Sequence, residues 1–235
     1  MLTGSRRGGA VRERAAEMLH RGRARGADYG WAARAVGRGV LDRNAPHGYA
    51  HGWLAPVLLI PGVLEEWTLM RQAGDRPNRA GPPVHRLPDL GRNTLTVVEG
   101  AALASAYLAA HELREVVIVA HSKGGLIGKR VLLDDAERRV RRLVAIATPF
   151  SGSVLARFFP SRAVRAMAPD DATILELGRH PEVNHLITSI CPAFDPHIPV
   201  GSQLAGATNV PVAATGHFRV LADPEVLDVV VAAAR

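Results

Sequence analysis

Apolar and polar positions along this chain follow two different rhythms, and the longer of them begins near residue 56. From there, short solid apolar runs alternate with stretches in which apolar residues return every three or four positions. These are the signatures of buried strands and of helices with one apolar face. PVLLIPG (56–62) reads as a buried strand and residues 64–74 as a helix. PVHRLPDLG (83–91) is a second strand, interrupted by Pro88, and a long helix follows over 94–113. VVIVA (116–120) is a third strand, residues 123–134 a helix, and RLVAIATP (142–149) a fourth strand. Residues 153–185 break the rhythm with short helical pieces punctuated by Pro160, Pro169 and Pro181. It resumes with the strands HLITSICPAFD (185–195) and VPVAATGHF (210–218), and closes in a helix that begins at Pro224 behind an N-cap at Asp223. Such alternation predicts an α/β fold: a mostly parallel sheet with helices on both faces, and ligands at the carboxyl ends of the strands. The interruption over 153–185 predicts a small helical cap above a pocket.

Before residue 52 the rhythm is different. Val11, Ala15, Met18 and Leu19 recur at helical spacing between arginines, and Trp31, Ala35 and Val36 would line a second short helix, both amphipathic covers for a core built elsewhere. Gly48, Gly52 and Pro56 then mark a loop. The expected organisation is an Arg-rich helical extension over 1–52 and one α/β domain over 53–235, since 235 residues of which 47% are hydrophobic suffice for one sizeable core.

Charge sharpens that division. Residues 1–50 hold ten arginines against four acids, whereas the remainder holds nineteen basic against eighteen acidic residues. A basic arm can meet an anionic surface or nucleic acid by simple attraction and counterion release. No nucleic-acid motif accompanies the charge, so no specific nucleic-acid partner is expected. A solvated helix or docking arm is the plainer reading, and weak contact with an anionic surface stays open. No apolar run reaches the ~18 residues of a membrane span, and no apolar h-region follows the early arginines, so a cytoplasmic location is expected. Cys191 is the only cysteine, which excludes an internal disulfide and a cysteine-based zinc cluster. His47 and His51 stand four apart, but Pro46, Gly48 and Gly52 oppose the helix that would bring them together. No metal site is expected.

Candidate chemistry concentrates where the third strand gives way to a helix, in VVIVAHSKGGLIGKRVL (116–132). Ser122 has Ala120 two positions before it and Gly124 two after, the small flanks that let a strand and a helix meet in a sharp, strained turn with the serine at its tip. Taken alone, Ser122 reads equally as a helix N-cap. As a nucleophile it needs a base in hydrogen-bond reach and an acid to hold that base's tautomer. Asp195 follows the penultimate strand and His217 the last, each on the rim where Ser122 would open, in the order serine, acid, histidine. His197 competes with His217 for the role of base. The backbone N–H of Lys123, at the helix start, is placed to stabilise an oxyanion. Its side chain would either steer anionic substrates or lay its stem over apolar surface. Thr148 and Ser151 read as turn hydrogen-bonders.

With these residues in place, the chain resembles the α/β-hydrolase superfamily, and within it compact bacterial lipases and esterases, over roughly residues 55–235. AHSKGG (120–125) resembles the G-x-S-x-G signature with alanine first, as in some small bacterial lipases. ATPFSGS (147–153) is similar to the Thr-Pro segment after the next strand, and FDPHIPVGSQLAGATNVPVAATGHF (194–218) to the closing segment with acid and histidine. The resemblance implies Ser122 as nucleophile, His217 as base, Asp195 as its orienting acid, and the N–H groups of Lys123 and Val63 as oxyanion hole. Where the family usually reads His-Gly before that second donor, this chain has Pro61-Gly62, so the packing behind the oxyanion loop must differ. Leu64, Trp67 and Phe150 would line the substrate pocket, while Phe158 and Phe159 would line it or pack the cap. The implied activity is hydrolysis of a small-molecule or lipid carboxylic ester, without a cofactor. Acyl transfer to an alcohol or amine with the same triad, or a non-catalytic binding role on this fold, remain alternatives. Oligomeric state is not legible.

Overall fold

The computed structural model describes residues 4–42 and 44–235, without the side chains of residues 4–17 and His20. Among them, β1 (Val57–Ile60), β2 (Val84–Arg86), β3 (Val116–His121), β4 (Val140–Ile146), β5 (Ile187–Phe194) and β6 (Thr208–Thr215) form one sheet in the order β2-β1-β3-β4-β5-β6. Every neighbouring pair is parallel. The helices are α1 (Gly4–Leu41), α2 (Arg71–Ala80), α3 (Val97–Ala110), α4 (Lys123–Asp134), α5 (Arg162–Arg165), α6 (Ala172–Gly178) and α7 (Pro224–Ala233).

Solid apolar runs became strands because both faces of this sheet are covered. Leu58, Ile60, Ile118, Ala120, Leu143 and Ala145 join one core with Val97, Ala101 and Ala104 of α3 and Leu126, Ile127 and Val131 of α4. Their alternate neighbours Val57, Leu59, Val117, Val119, Val144 and Ile146 join a second core with Ala73 of α2 and Val226, Leu227 and Val230 of α7. Local signals agree with these placements. Thr96 and Glu99 form a reciprocal capping box at the start of α3, and Asp223 accepts the Glu225 N–H ahead of Pro224 at the start of α7.

The chain runs from β1 outward to β2, crosses back over β1 to β3, and proceeds the other way to β6. Strand order therefore reverses between β1 and β3, and the helices after these two strands lie on opposite faces. The carboxyl ends of strands at such a reversal are the place where ligands bind in sheets of this kind.

Several expectations need revision. The two short N-terminal helices are one 38-residue helix, α1. Of the residues that suggested two, Val11 and Ala15 lie outside the described side chains, Met18 and Leu19 are exposed, and Trp31 and Ala35 pack on the second core. Continuity through Gly22, Gly26 and Gly30 is held by docking: Ala24, Asp28 and Gly39 are buried, and a Cβ on Gly39 would fall 2.3 Å from Thr68 Oγ1. The helix foreseen over 64–74 starts as a 3-10 turn at Trp67–Met70 and continues in α2 through Gly74 to Ala80. The second strand stops at Arg86, because Pro88 opens a 3-10 turn over Pro88–Leu90. Over 153–185 the short pieces appear as expected. Ala156, Val164, Met167 and Ile174 pack with Phe150 on the first core, while Phe158 remains 84% exposed.

Candidate active site

Ser122 joins β3 to α4 with φ 50° and ψ −121°, a conformation that costs a residue bearing a side chain ~1–3 kcal/mol. Two contacts hold it there. Its N–H donates to Ile146 O at 2.9 Å, and α4 starts with glycines wedged against the neighbouring strand ends. A Cβ on Gly124 would lie 2.2 Å from Ile60 O, and one on Gly125 2.0 Å from Thr148 Oγ1. The Ser122 side chain makes no capping bond; instead Oγ lies 3.0 Å from His217 Nε2.

His217 stands just past β6, and its Nδ1 is 2.7 Å from Asp195 Oδ2. The other Asp195 oxygen accepts the N–H groups of His197 (2.7 Å) and Ile198 (3.1 Å), which fix the carboxylate to its own turn. His197 does not meet the serine. Its ring stacks on His217 with centroids 4.7 Å apart and 16° between planes, and its Nε2 pairs with the Tyr29 hydroxyl at 3.0 Å. Ser122, Asp195 and His217 are all buried.

Burial sets the electrostatics. It would push the Asp195 carboxyl up, but the charge and hydrogen bond of His217 and the His197 N–H outweigh it and hold the group below its ordinary range. For His217, burial opposes the charged ring, yet Asp195, then Glu65 and Asp28, raise its pKa above the ordinary imidazole value. Burial and then the neighbouring His217 push His197 down to about 4, so the ring stacked on His217 is neutral.

Three buried side chains that the sequence did not single out complete the cluster. Asp28, on α1, accepts the backbone N–H of His217 at 2.9 Å. His121, the residue before the serine, places Nε2 2.9 Å from His217 O and Nδ1 2.8 Å from Glu65 Oε2. A carbonyl only accepts, so Nε2 is the donor to His217, while Nδ1 pairs with the Glu65 carboxyl group. Glu65 Oε2 also accepts the Gly62 N–H at 2.8 Å. A histidine inside the turn and an acid in VLEEW were visible signals for His121 and Glu65. Asp28, 189 positions from His217, had none.

The loop after β1, with Pro61 leading into Gly62, is held by two buried polar side chains. Asn93 Nδ2 donates to Pro61 O at 2.7 Å, and Glu65 takes the Gly62 N–H. Val63 follows, half-buried against the first core, while the Lys123 N–H opens α4. The Lys123 side chain follows neither course expected of it: it is 1% exposed, and its ammonium donates to the carbonyls of Asn93 (3.1 Å) and Leu95. Burial pushes its pKa down to about 8.

Of the expected pocket residues, Phe150 is buried beneath the 153–185 insert and Leu64 is partly exposed at φ 62°. Trp67 belongs to the other face. Its indole meets Tyr49 edge-on, lies under the guanidinium groups of Arg71 and Arg86, and lines a cleft of about 210 Å³ with Pro61, Arg86 and Arg92. Ser122 is not among the residues lining that cleft. Phe159 is half-exposed and Phe158 faces solvent.

Among the described residues, Glu65, His121 and His217 are the one group of three whose ligand-type atoms fall within 4.8 Å of one another. Both nitrogens of each ring are already hydrogen-bonded, so a cation would enter only by displacing those bonds. Among the described residues, no helix is long and apolar enough to cross a membrane.

No known family profile matches the chain, and no curated protein matches it in sequence. Solved structures do resemble it. The mature form of Bacillus licheniformis lipase BlEst2 superposes with a TM-score of 0.58 at 14% identity, covering 73% of this chain and 87% of that one. Aspergillus fumigatus lipase B gives a TM-score of 0.58 at 16% identity over 78% of this chain and 53% of that one. The haloalkane dehalogenase DpaA of Paraglaciecola agarilytica gives 0.56 at 14% identity over 76% and 84%. At these identities the likeness is one of fold: the chain has the α/β-hydrolase fold. Lipases and a dehalogenase share it, so the reaction must be argued from the residues.

Proposed function

We propose that the chain is a serine hydrolase that cleaves carboxylic esters through an acyl-enzyme on Ser122. One observation carries the reading: Ser122 Oγ, His217 and Asp195 form a continuous hydrogen-bonded line of 3.0 and 2.7 Å at the strained turn where the strand order reverses.

In this reading Ser122 Oγ attacks the ester carbonyl carbon while His217 Nε2 takes its proton. Asp195 remains a carboxylate and stabilises the imidazolium that forms. The carbonyl oxygen, now an oxyanion, lies toward the N–H groups of Lys123 and Val63, each such donor being worth ~3 kcal/mol in the transition state. His217 returns the proton to the departing alkoxide as the carbon–oxygen bond breaks and the acyl-enzyme forms. Water then attacks the acyl carbon, giving a proton to Nε2, and Ser122 leaves with that proton as the acid is released.

Turnover of p-nitrophenyl esters of graded chain length, together with labelling by a fluorophosphonate probe, tests this reading. Ser122→Ala is expected to abolish labelling at position 122 and to lower kcat by at least ~1,000-fold, with His217→Ala similar. Equal turnover by wild type and both variants would overturn it.

A further inference from the structure

We infer that Asp28 is a positioning residue for His217, which makes the N-terminal helix a working part of the active site rather than an appendage. The inference rests on His217 as the general base. Asp28 lies within α1 with 0% exposure. Aspartate is a poor helix-interior residue, and a buried carboxylate is costly unless every lone pair finds a donor. Here the donors are three consecutive backbone N–H groups of the turn after β6. Oδ2 accepts from His217 at 2.9 Å, and Oδ1 accepts from Phe218 at 2.9 Å and Arg219 at 2.8 Å. Gly216 leads into the turn at φ +106°, and a Cβ there would lie 2.5 Å from Asp28 Oδ1. The carboxylate fits because position 216 has no side chain.

The same His217 residue is gripped at its carbonyl by His121 Nε2, at 2.9 Å. With its N–H and C=O both engaged by buried side chains, its backbone is fixed, and the ring can span Asp195 and Ser122 without searching. Tyr29, the next residue of α1, pairs with His197, whose ring backs the His217 ring. Adjacent residues of one helix thus brace both stacked imidazoles. The charged and titratable groups facing His217 are Asp195, Glu65 through His121, His197 and Asp28, and the Asp28 charge favours the imidazolium that forms during attack.

Asp28→Asn keeps the size, removes the charge and opposes an amide NH₂ to one of the three donors. We expect kcat to fall about 10- to 100-fold with KM for a short p-nitrophenyl ester nearly unchanged, and fluorophosphonate labelling of Ser122 to slow in parallel. The acid limb of kcat/KM should move to lower pH, because a charge that holds the imidazole pKa up has gone; a purely structural role would leave the limb in place. If Asp28→Asn does not fold, as read by circular dichroism, Asp28→Glu serves instead. It keeps the charge and displaces the turn, so kcat should fall while the acid limb stays near its wild-type position. A folded Asp28→Asn with wild-type kcat, or one with reduced kcat and an unmoved acid limb, would overturn the inference, as would a fully active Asp28→Glu. Activity surviving in His217→Ala would mean instead that the reading of the base has failed.

Discussion

Replacing Gly124 with alanine tests the physical basis of the site, the close approach of two backbones. The added Cβ would sit 2.2 Å from Ile60 O, 2.8 Å from Pro61 O and 2.9 Å from Ile60 C, where ordinary contact begins near 3.4 Å. All three atoms are backbone, and β1 is hydrogen-bonded to β2 on one side and β3 on the other, so none can swing aside. The end of β1 and the start of α4 must therefore separate by about 1 Å. Overpacking of this kind costs ~1–3 kcal/mol, here toward the upper end, and the ~1 kcal/mol by which alanine outranks glycine in a helix offsets only part of it. Activity should suffer more than stability. The separation pulls the loop carrying Val63 away from Ser122 and Lys123, and a misplacement of ~1 Å costs about 100-fold in rate. Urea denaturation and kcat on a short p-nitrophenyl ester measure the two effects. Gly26→Ala on α1, where nothing lies within 4 Å of the new Cβ, is the control and should be neutral or slightly stabilising. Wild-type kcat and an unchanged urea midpoint in Gly124→Ala would refute the close approach.

Glu65→Ala strips the Gly62 N–H and His121 Nδ1 of their shared acceptor, so urea denaturation should show a loss of ~3–5 kcal/mol; a loss below ~1 kcal/mol would contradict the pairing. Because His217 must be neutral to accept a proton and its pKa is held above the ordinary 6.5, kcat/KM should rise with pH through a midpoint above 6.5, and a lower midpoint in the pH–rate profile would count against the geometry. Lys123 titrates at about 8 when folded and near 10.5 when unfolded, so the folded state binds fewer protons between those values. Stability should then climb by up to ~3 kcal/mol as pH rises across that window, and Lys123→Met should flatten the climb in pH-dependent urea titrations, whereas an unaltered slope in the variant would refute it.

Features set by local chemistry were legible in the chain. The solid apolar runs at 56–62 and 116–120 became β1 and β3 because parallel strands are covered on both faces, and the α4 boundaries at 123–134 were readable because glycines and an apolar face begin together. The line from Ser122 through His217 to Asp195 could be expected from the strand ends these residues follow in one parallel sheet, together with the resemblance of the flanking segments to α/β-hydrolases. What stayed hidden depends on distant partners. Lys123 looked like a surface lysine until the Asn93 and Leu95 carbonyls closed over it, and no periodicity announces such acceptors. Trp67 sits next to the oxyanion loop in sequence, but the 3-10 turn at Trp67–Met70 carries it to the opposite face. Two separate sets of helically spaced apolar residues, Val11 to Leu19 and Trp31 to Val36, suggested two helices, and nothing between them announced that one helix, docked through Ala24, Asp28 and Gly39, joins both.

Three buried carboxylates converge on one histidine from remote parts of the chain, each with a different task. Asp195 holds the ring, Glu65 holds the carbonyl by way of His121, and Asp28 holds the N–H. The Asp195 carboxylate stays ionised because its own N–H donors and His217 outweigh burial, and Asp195, Glu65 and Asp28 all act to raise the His217 pKa. A dry site would otherwise resist charging an imidazole, which is what deprotonating Ser122 requires. The neutral ring of His197 against its face is consistent with this balance, for a second imidazolium there would cancel part of the gain. In the proposed mechanism the N-terminal helix enters the energetics of proton transfer through the charge of Asp28. Its removal should leave His217 without both an anchor and a charge.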